Sequence, residues 1–215
     1  MATTTSPRGT RGQRFFARWY PGVMDRAERA GQAEIRARHL AAARGRTLDI
    51  GTGNGFSVAH YPSSVTELVM LEPNPALRAQ LQRRTQGIRA AAWQIVDGDA
   101  AHLPFGDDAF DTVAASLLFC SLPDPAAALS EVARVRRPGG TFLFHEHVRG
   151  EGLRRVLQEV AAPVQRRLAD GCRPNRDFLA LLSAAPFEVV EVEHRPMPGG
   201  AATVVPMVVG RARPA

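Results

Sequence analysis

The sequence predicts an α/β fold, a doubly wound and mostly parallel sheet with helices on both faces. Three observations predict it. Apolar segments of strand length alternate with helical segments between residues 46 and 144. Residues 111–118 form an apolar run, as expected of a strand buried on both faces. The last two strand-like segments are joined by about ten residues. That is too few for a helical crossover, so they should pair antiparallel.

Each element has a local reason. Residues 1–14 are polar, carry Arg and lack the apolar stretch of a secretory signal, so they read as a flexible tail. Residues 15–43 read as helical. Phe15, Phe16, Trp19 and Tyr20 cluster there, Pro21-Gly22 is expected to break the chain, and 23–43 is rich in Ala, Arg and Glu. Residues 46–50 are strand-like and run into a glycine turn. Residues 67–71 are a second strand, 75–84 a helix with Pro at its start, 92–96 a third strand and 111–118 a fourth. Residues 123–135 carry apolar positions near a 3.6 period and predict a helix, followed by a turn at Pro138-Gly139-Gly140. Residues 141–144 are a fifth strand. Residues 151–168 predict a helix interrupted or kinked at Pro163, and 176–184 another helix. Residues 187–192 and 203–209 are the final pair of strands.

A chain of 215 residues with 45% apolar content is long enough for one domain with a core that needs no disulfide or metal. No apolar run approaches the roughly 18 residues of a bilayer span. The two cysteines, Cys120 and Cys172, have neither a disulfide-framework nor a zinc spacing. Reduced thiols in a cytoplasmic protein are the simplest reading. The net charge is +6 and all 27 basic residues are Arg. They are scattered as pairs such as Arg83-Arg84 and Arg166-Arg167, which reads as solvated helix faces rather than a nucleic-acid surface. Neither nucleic acid nor membrane is expected as a partner.

Ligands of doubly wound sheets bind outside the carboxyl ends of the strands, where the strand order reverses. Those ends carry Asp49 and Gly51, Glu72, Asp97 and Asp99, residues 116–121 and residues 145–147. In Thr47-Leu-Asp-Ile-Gly-Thr-Gly-Asn-Gly-Phe56 the glycines at 51, 53 and 55 let backbone approach a ligand. The helix start that follows offers free N–H groups to a carboxylate. Phe56 stands where the dinucleotide fingerprint G-x-G-x-x-G needs glycine. A nucleoside without a pyrophosphate is therefore expected, with S-adenosyl-L-methionine (SAM) the leading candidate. Asp49 is positioned to balance the ammonium of its methionine part, and Glu72 to take both ribose hydroxyls. Asp99 can accept from the adenine amino group while Ala100 offers its N–H to the ring. Taken singly, the glycines read as a tight turn and Glu72 as a solvated acid; the ordered set reads as a site.

Leu48-Asp-Ile-Gly-Thr-Gly-Asn-Gly55, Glu72-Pro-Asn74, Asp97-Gly-Asp-Ala100, Leu103-Pro-Phe-Gly-Asp-Asp-Ala-Phe-Asp111 and Arg137-Pro-Gly-Gly140 resemble the successive motifs of class I SAM-dependent methyltransferases. The resemblance runs from about residue 22 to the C-terminus. It implies a Rossmann-like seven-stranded sheet, mostly parallel with one antiparallel hairpin strand. It also implies a single methyltransferase domain over 15–215, with an N-terminal helical lid over 15–43 above a core over 44–215. SAM would be the methyl donor and S-adenosylhomocysteine the product. The cofactor residues would be Asp49, Gly51, Thr52, Gly53, Gly55, Glu72, Pro73, Asn74, Asp99, Ala100 and Ser116. Methyl transfer from a sulfonium is an in-line displacement that needs alignment and exclusion of water, not a metal.

A narrower resemblance concerns the acceptor. Leu118-Phe-Cys-Ser-Leu-Pro-Asp-Pro125, Glu146-His-Val148 and Asp170-Gly-Cys172 with Asn175-Arg176 are similar to the alkyl-thiol methyltransferase (methyltransferase-like) branch and its bacterial relatives. This implies a small-molecule acceptor, with a thiol favoured. A thiol is a few per cent ionised at neutral pH and strongly nucleophilic in that form. His145 or His147 can take its proton. Two apart on a strand, they share a face while Glu146 takes the other, so both face the pocket or both face the packing side. Asp170 and Cys172 lie in a loop able to close over the acceptor, although Cys172 reads equally as a small buried residue. Cys120 reads more readily as packing. The N-terminal aromatics either roof the site or anchor the first helix. An O-, N- or C-methyltransferase of a specialised pathway would use the same cofactor half. A non-catalytic regulator that binds SAM or S-adenosylhomocysteine is the reading of another class. Ser116-Leu-Leu-Phe stands where many nucleic-acid N-methylases carry Asn/Asp-Pro-Pro-Tyr.

Overall fold

Side chains alternate across a strand, so a strand covered on both faces must be apolar at successive positions. The central strands meet that condition. In β1 (Gly45–Ile50) Leu48 and Ile50 face one layer; in β2 (Val65–Leu71) Val69 and Leu71 join them while Leu68 and Met70 face the other. β3 (Ala92–Val96) is the edge strand beyond β2. β4 (Phe110–Ser116) alternates Val113 and Ala115 with Ala114, and β5 (Arg136–His147) alternates Phe142 and Phe144 with Leu143. With β6 (Phe187–Pro196) and β7 (Pro206–Pro214) they form one seven-stranded sheet of order β3-β2-β1-β4-β5-β7-β6. β7 runs antiparallel to both of its neighbours; the other pairs are parallel. The strand order reverses between β1 and β4. The computed structural model of the chain describes residues 9–214.

The helices are α1 (Arg11–Ala27), α2 (Ala33–Leu40), α3 (Pro75–Arg84), α4 (Pro125–Val135), α5 (Gly152–Leu168) and α6 (Phe178–Ala184). On one face Leu129 and Val132 of α4 and Phe178 and Leu182 of α6 pack on Phe110, Phe142 and Phe144. Each such fully buried side chain contributes about 1.5–3 kcal/mol. On the other face Leu40 of α2 and Leu81 of α3 pack on Leu68, Met70 and Leu143.

The N-terminus departs from the sequence reading. Residues 1–8 of the expected tail lie outside the described residues. From Thr10 the chain is ordered by a capping box: Gln13 N–H donates to Thr10 Oγ1 at 3.2 Å and Thr10 N–H to Gln13 Oε1 at 2.9 Å, so α1 already runs through 11–14. Pro21 does not break the chain. It sits inside α1, which is held by the buried Ala17, Met24 and Ala27. The break falls at Gly31, whose φ is 119°, in a π-helical turn joining α1 to α2. Pro163 likewise lies within an unbroken α5, on its exposed side, where water can satisfy the carbonyl left without a partner. Pro138-Gly139-Gly140 is a bulge within β5 rather than a turn before it. Phe110 pairs with Arg136 and Thr112 with Thr141, so the extra residues are looped out at Gly139, φ 75°.

Candidate active site

A cavity of about 920 Å³ lies over the carboxyl ends of β1, β4 and β5, where the strand order reverses. Helices α1 and α5 and the β6–β7 connection wall its upper side.

At the β1 end the glycine turn supplies the floor. Gly51 (φ 66°) and Gly53 (φ 63°) hold left-handed conformations, and both line the cavity. A Cβ on Gly51 would lie 2.7 Å from Leu118 Cδ1, whereas one on Gly53 would meet nothing nearer than 4.0 Å. The turn is fixed by Gly51 N–H donating to the Leu71 carbonyl at 2.7 Å. Glu72, at the end of β2, accepts from Gly53 N–H on one oxygen and from Asn74 N–H on the other, each at 2.8 Å. Its burial outweighs those bonds and pushes its acid up to about 7. Pro73, Asp99 and Ser116 complete this end of the wall.

Several residues expected to touch the cofactor support the wall without forming it. Asn74 caps α3, accepting from Ala76 N–H at 3.0 Å, and its amide donates to the Gln13 carbonyl, tying α1 to the turn. Gly55 lets α3 approach, since a Cβ there would be 2.8 Å from Leu81. Thr52 Oγ1 donates back to the Asp49 carbonyl at 2.9 Å. Ala100 is buried in the core. Asp49 lies buried beneath the turn with Oδ2 unpartnered; burial raises its acid to about 7 against the pull of Arg36. Arg36, on α2, was not singled out in the sequence. It is itself buried, paired with Glu28 at 2.9 Å and donating to Ser57 Oγ at 3.0 Å.

The other end of the cavity is apolar above and polar below. Phe16 stacks on Tyr20 with ring centroids 4.5 Å apart and meets Trp19 edge-on at 5.4 Å. With Phe15 they line the cavity, so these aromatics roof the site. His147, at the end of β5, reaches the cavity; its Nδ1 has no partner and burial lowers its pKa to about 4. His145 shares that face, as the alternation requires, but lies deeper and does not line the cavity. Gln32 Nε2 and Met207 Sδ stand 2.8 and 3.1 Å from its Nε2 and cover it. Glu146 takes the opposite face. Its Oε1 accepts from Leu118 N–H at 2.7 Å and Phe119 N–H at 2.9 Å, holding the loop after β4, where Leu117 has a φ of 56°.

The loop after α5 supplies Asp170 and Cys172 to the cavity. Asp170 stands toward the cofactor end: its acid is raised by burial and opposed by the Asn74 side chain, and its charge bears on Glu72. Cys172 stands at the acceptor end, 3.7 Å from Cys120. Gln165, Met197 and Val204 also line the cavity. The turn Met197-Pro-Gly-Gly200 was the available signal for the last two; nothing local marks Gln165.

The residues fit SAM. Gly53 is left-handed and open to the cavity, so a ligand can approach backbone there, a buried carboxyl at Glu72 waits for hydroxyl donors, and Asp49 lies buried beneath the turn with one acid oxygen unpaired. Among the described residues no group of His, Cys, Asp and Glu is arranged to hold a metal. No helix among them is long and apolar enough to cross a membrane.

A methyltransferase-domain family matches residues 48–144. Thiol S-methyltransferase TMT1B of Rattus norvegicus is 30% identical over 169 residues, covering 77% of this chain and 69% of that protein. Phosphatidylethanolamine N-methyltransferase of Cereibacter sphaeroides is 31% identical over 167 residues, covering 76% and 80%. A SAM-dependent methyltransferase structure from Thermotoga maritima superposes with a TM-score of 0.67 at 20% identity, over 94% of this chain and 99% of that one.

Proposed function

Because the chain belongs to the SAM-dependent methyltransferases, we propose that the acceptor of its methyl group is the sulfur of a small thiol. SAM supplies an electrophilic methyl carbon on a sulfonium. The glycine turn and Glu72 hold its nucleoside and amino-acid parts, and the aromatic roof excludes water from the line of displacement.

One observation carries the choice of sulfur. The acceptor end offers a single cavity-facing imidazole, His147, whose basicity burial lowers to about 4. A base that weak does little for an alcohol or phenol, which must lose a proton to become nucleophilic. A thiol reaches neutral pH already partly ionised. It asks only for an apolar seat and a hydrogen-bond acceptor for its S–H, and Phe16, Trp19 and neutral His147 are of that kind. The thiol-methylating relative supports the same reading. His147 then positions the acceptor rather than storing its proton.

The test is transfer from labelled SAM to a panel of thiols, phenols and amines. Methylation of thiols, with His147→Ala raising the thiol KM while SAM affinity holds, is the expected result. Transfer confined to oxygen or nitrogen acceptors would overturn it. Among those, phosphatidylethanolamine would single out the reading that the Cereibacter relative supports.

A further inference from the structure

The chain has only two cysteines, 52 positions apart, and the fold brings their sulfurs to 3.7 Å inside the cavity wall. The contact is built from backbone. Arg173 N–H donates to the Cys120 carbonyl at 2.9 Å, and Arg176 donates to the carbonyls of Phe119 and Leu122. Gly171 has a φ of 90°, and a Cβ there would lie 2.7 Å from the Ser121 carbonyl oxygen, so the two loops are pressed together by a glycine. A disulfide needs about 2.05 Å between sulfurs, a closure of about 1.6 Å.

We propose that Cys172 and Cys120 form a redox-active dithiol that reduces small disulfides entering the cavity. The Cys172 thiolate attacks one sulfur of the disulfide RSSR. A Cys172–SR bond forms, the RS–SR bond breaks, and the departing RS⁻ takes up the proton that Cys172 lost. Cys120 then attacks the Cys172 sulfur. The intramolecular disulfide forms, the second RS⁻ leaves, and it takes the Cys120 proton. The protein loses two electrons, and two thiols are released. The order follows from the surroundings. Contact with Cys120 pulls the Cys172 thiol down, and so do the Gln165 amide, which donates to its Sγ at 3.4 Å, and the Arg176 charge. The Cys120 thiol is pushed up by the same partner and by burial, which suits a resolving residue. This chemistry does not depend on which atom accepts the methyl group.

Reduced protein is treated with hydroxyethyl disulfide and followed by intact mass and released thiol. The wild type should lose two hydrogens and release two thiols per chain. Cys120→Ser should stop at a mixed disulfide on Cys172, and Cys172→Ser should not react; SAM binding by each variant reports that it is folded. A wild type that stays reduced, or a Cys172→Ser that reacts as fast as the wild type, would overturn the proposal.

A separate observation concerns the outer side of α5. Leu153, Val156, Leu157, Val160, Val164 and Leu168 recur at helical spacing and are exposed, Leu153 by 84% and Val160 by 73%. Gln158 alone among the helix's residues is fully buried. A continuous apolar stripe of this kind marks an interaction surface. Its charge selects the partner: α5 carries Arg154, Arg155, Arg166 and Arg167 against the single acid Glu159, and the chain carries +6. By helical spacing Arg154 and Arg167 fall beside the stripe, where long basic side chains reach lipid phosphates. We infer that α5 lies on an anionic lipid surface, against the expectation from the sequence that no membrane is a partner. Leu168 and Phe15 are both exposed and line the cavity, so its mouth would open beside that surface.

Sedimentation with vesicles tests this. The protein should pellet with phosphatidylcholine vesicles containing phosphatidylserine, less so as salt rises, and Leu153→Glu with Val160→Glu should stay in solution while still binding SAM. Failure of the wild type to pellet would overturn the inference. So would a salt-insensitive dimer dissolved by the same substitutions, which would assign the stripe to a second copy.

Discussion

Replacing Glu146 by Gln should change how stability depends on pH. The Glu146 carboxyl is fully buried, with Oε1 taking two backbone N–H groups and Oε2 taking none. Burial lifts its pKa from 4.5 to about 8. In the unfolded chain the acid ionises near 4.5, while in the fold it keeps its proton until about pH 8. Between those values the native state holds the extra proton, so stability falls as pH rises. The contribution is complete below 4.5 and lost as pH rises through about 8. At about 1.4 kcal/mol per unit, the loss is on the order of 4 kcal/mol. Glutamine keeps an oxygen for both N–H groups and does not titrate. Urea unfolding between pH 4.5 and 8.5 should therefore show the wild type losing about that much relative to Glu146→Gln as pH rises. Parallel curves for the two proteins would refute the reasoning. Glu146→Ala should instead be destabilised at every pH, because two buried N–H groups lose their acceptor at about 1–3 kcal/mol each.

Gly51→Ala should lower the Tm by a few degrees and weaken SAM, since a left-handed alanine costs about 1–2 kcal/mol and its Cβ would press on Leu118; calorimetry of both properties checks it. Glu72→Gln should weaken SAM about tenfold by removing charge-assisted acceptors. In the wild type, SAM binding near pH 6–7 should release a proton, because Glu72 begins near 7 and ionises against hydroxyl donors and a cationic ligand. Titration calorimetry in buffers of different ionisation enthalpy reads that proton, and its persistence in Glu72→Gln would assign it elsewhere. Trp19→Ala should raise the acceptor KM severalfold while the SAM Kd stays the same; equal effects on both would make the residue an anchor of α1 rather than a roof.

Where a few adjacent residues determine a feature, the sequence was a good guide. The helix at Pro75–Arg84 follows from the Asn74 cap and Pro75, and both lie within four residues of its start. The central strands could be read because burial on both faces leaves little but apolar residues in them. The glycine turn could be read because left-handed backbone restricts the residues that occupy it. Features that depend on a distant partner could not. Pro21 carries the local signature of a break, but contacts of Ala17, Met24 and Ala27 keep α1 continuous. Pro138-Gly139-Gly140 looks like any turn until β4 lies alongside it. Parity assigned His145 and His147 to one face but not to a depth, which Gln32 and Met207 decide. Arg36 and Asp49 come together only in the fold, where the Arg36 charge opposes the rise that burial gives the Asp49 acid, and no spacing along the chain marks that pairing. The contact between Cys120 and Cys172 rests on two loops meeting, which no spacing encodes.

The insertion of β7 between β5 and β6 has a consequence for how the molecule is assembled. Phe142 pairs with Ala212 and His147 with Met207, so the strand bearing His147 gains its second neighbour only from the last part of the chain. The glycine turn and Glu72, by contrast, lie within the first 72 residues and sit on β1 and β2, with β4 beside β1. Pairings of such long separation form late. During synthesis the nucleoside end can therefore take shape on a nascent chain, while the acceptor wall from Met197 to Val204 waits for β7. The order of translation keeps the methyl donor's seat and the acceptor's apart until the protein is whole.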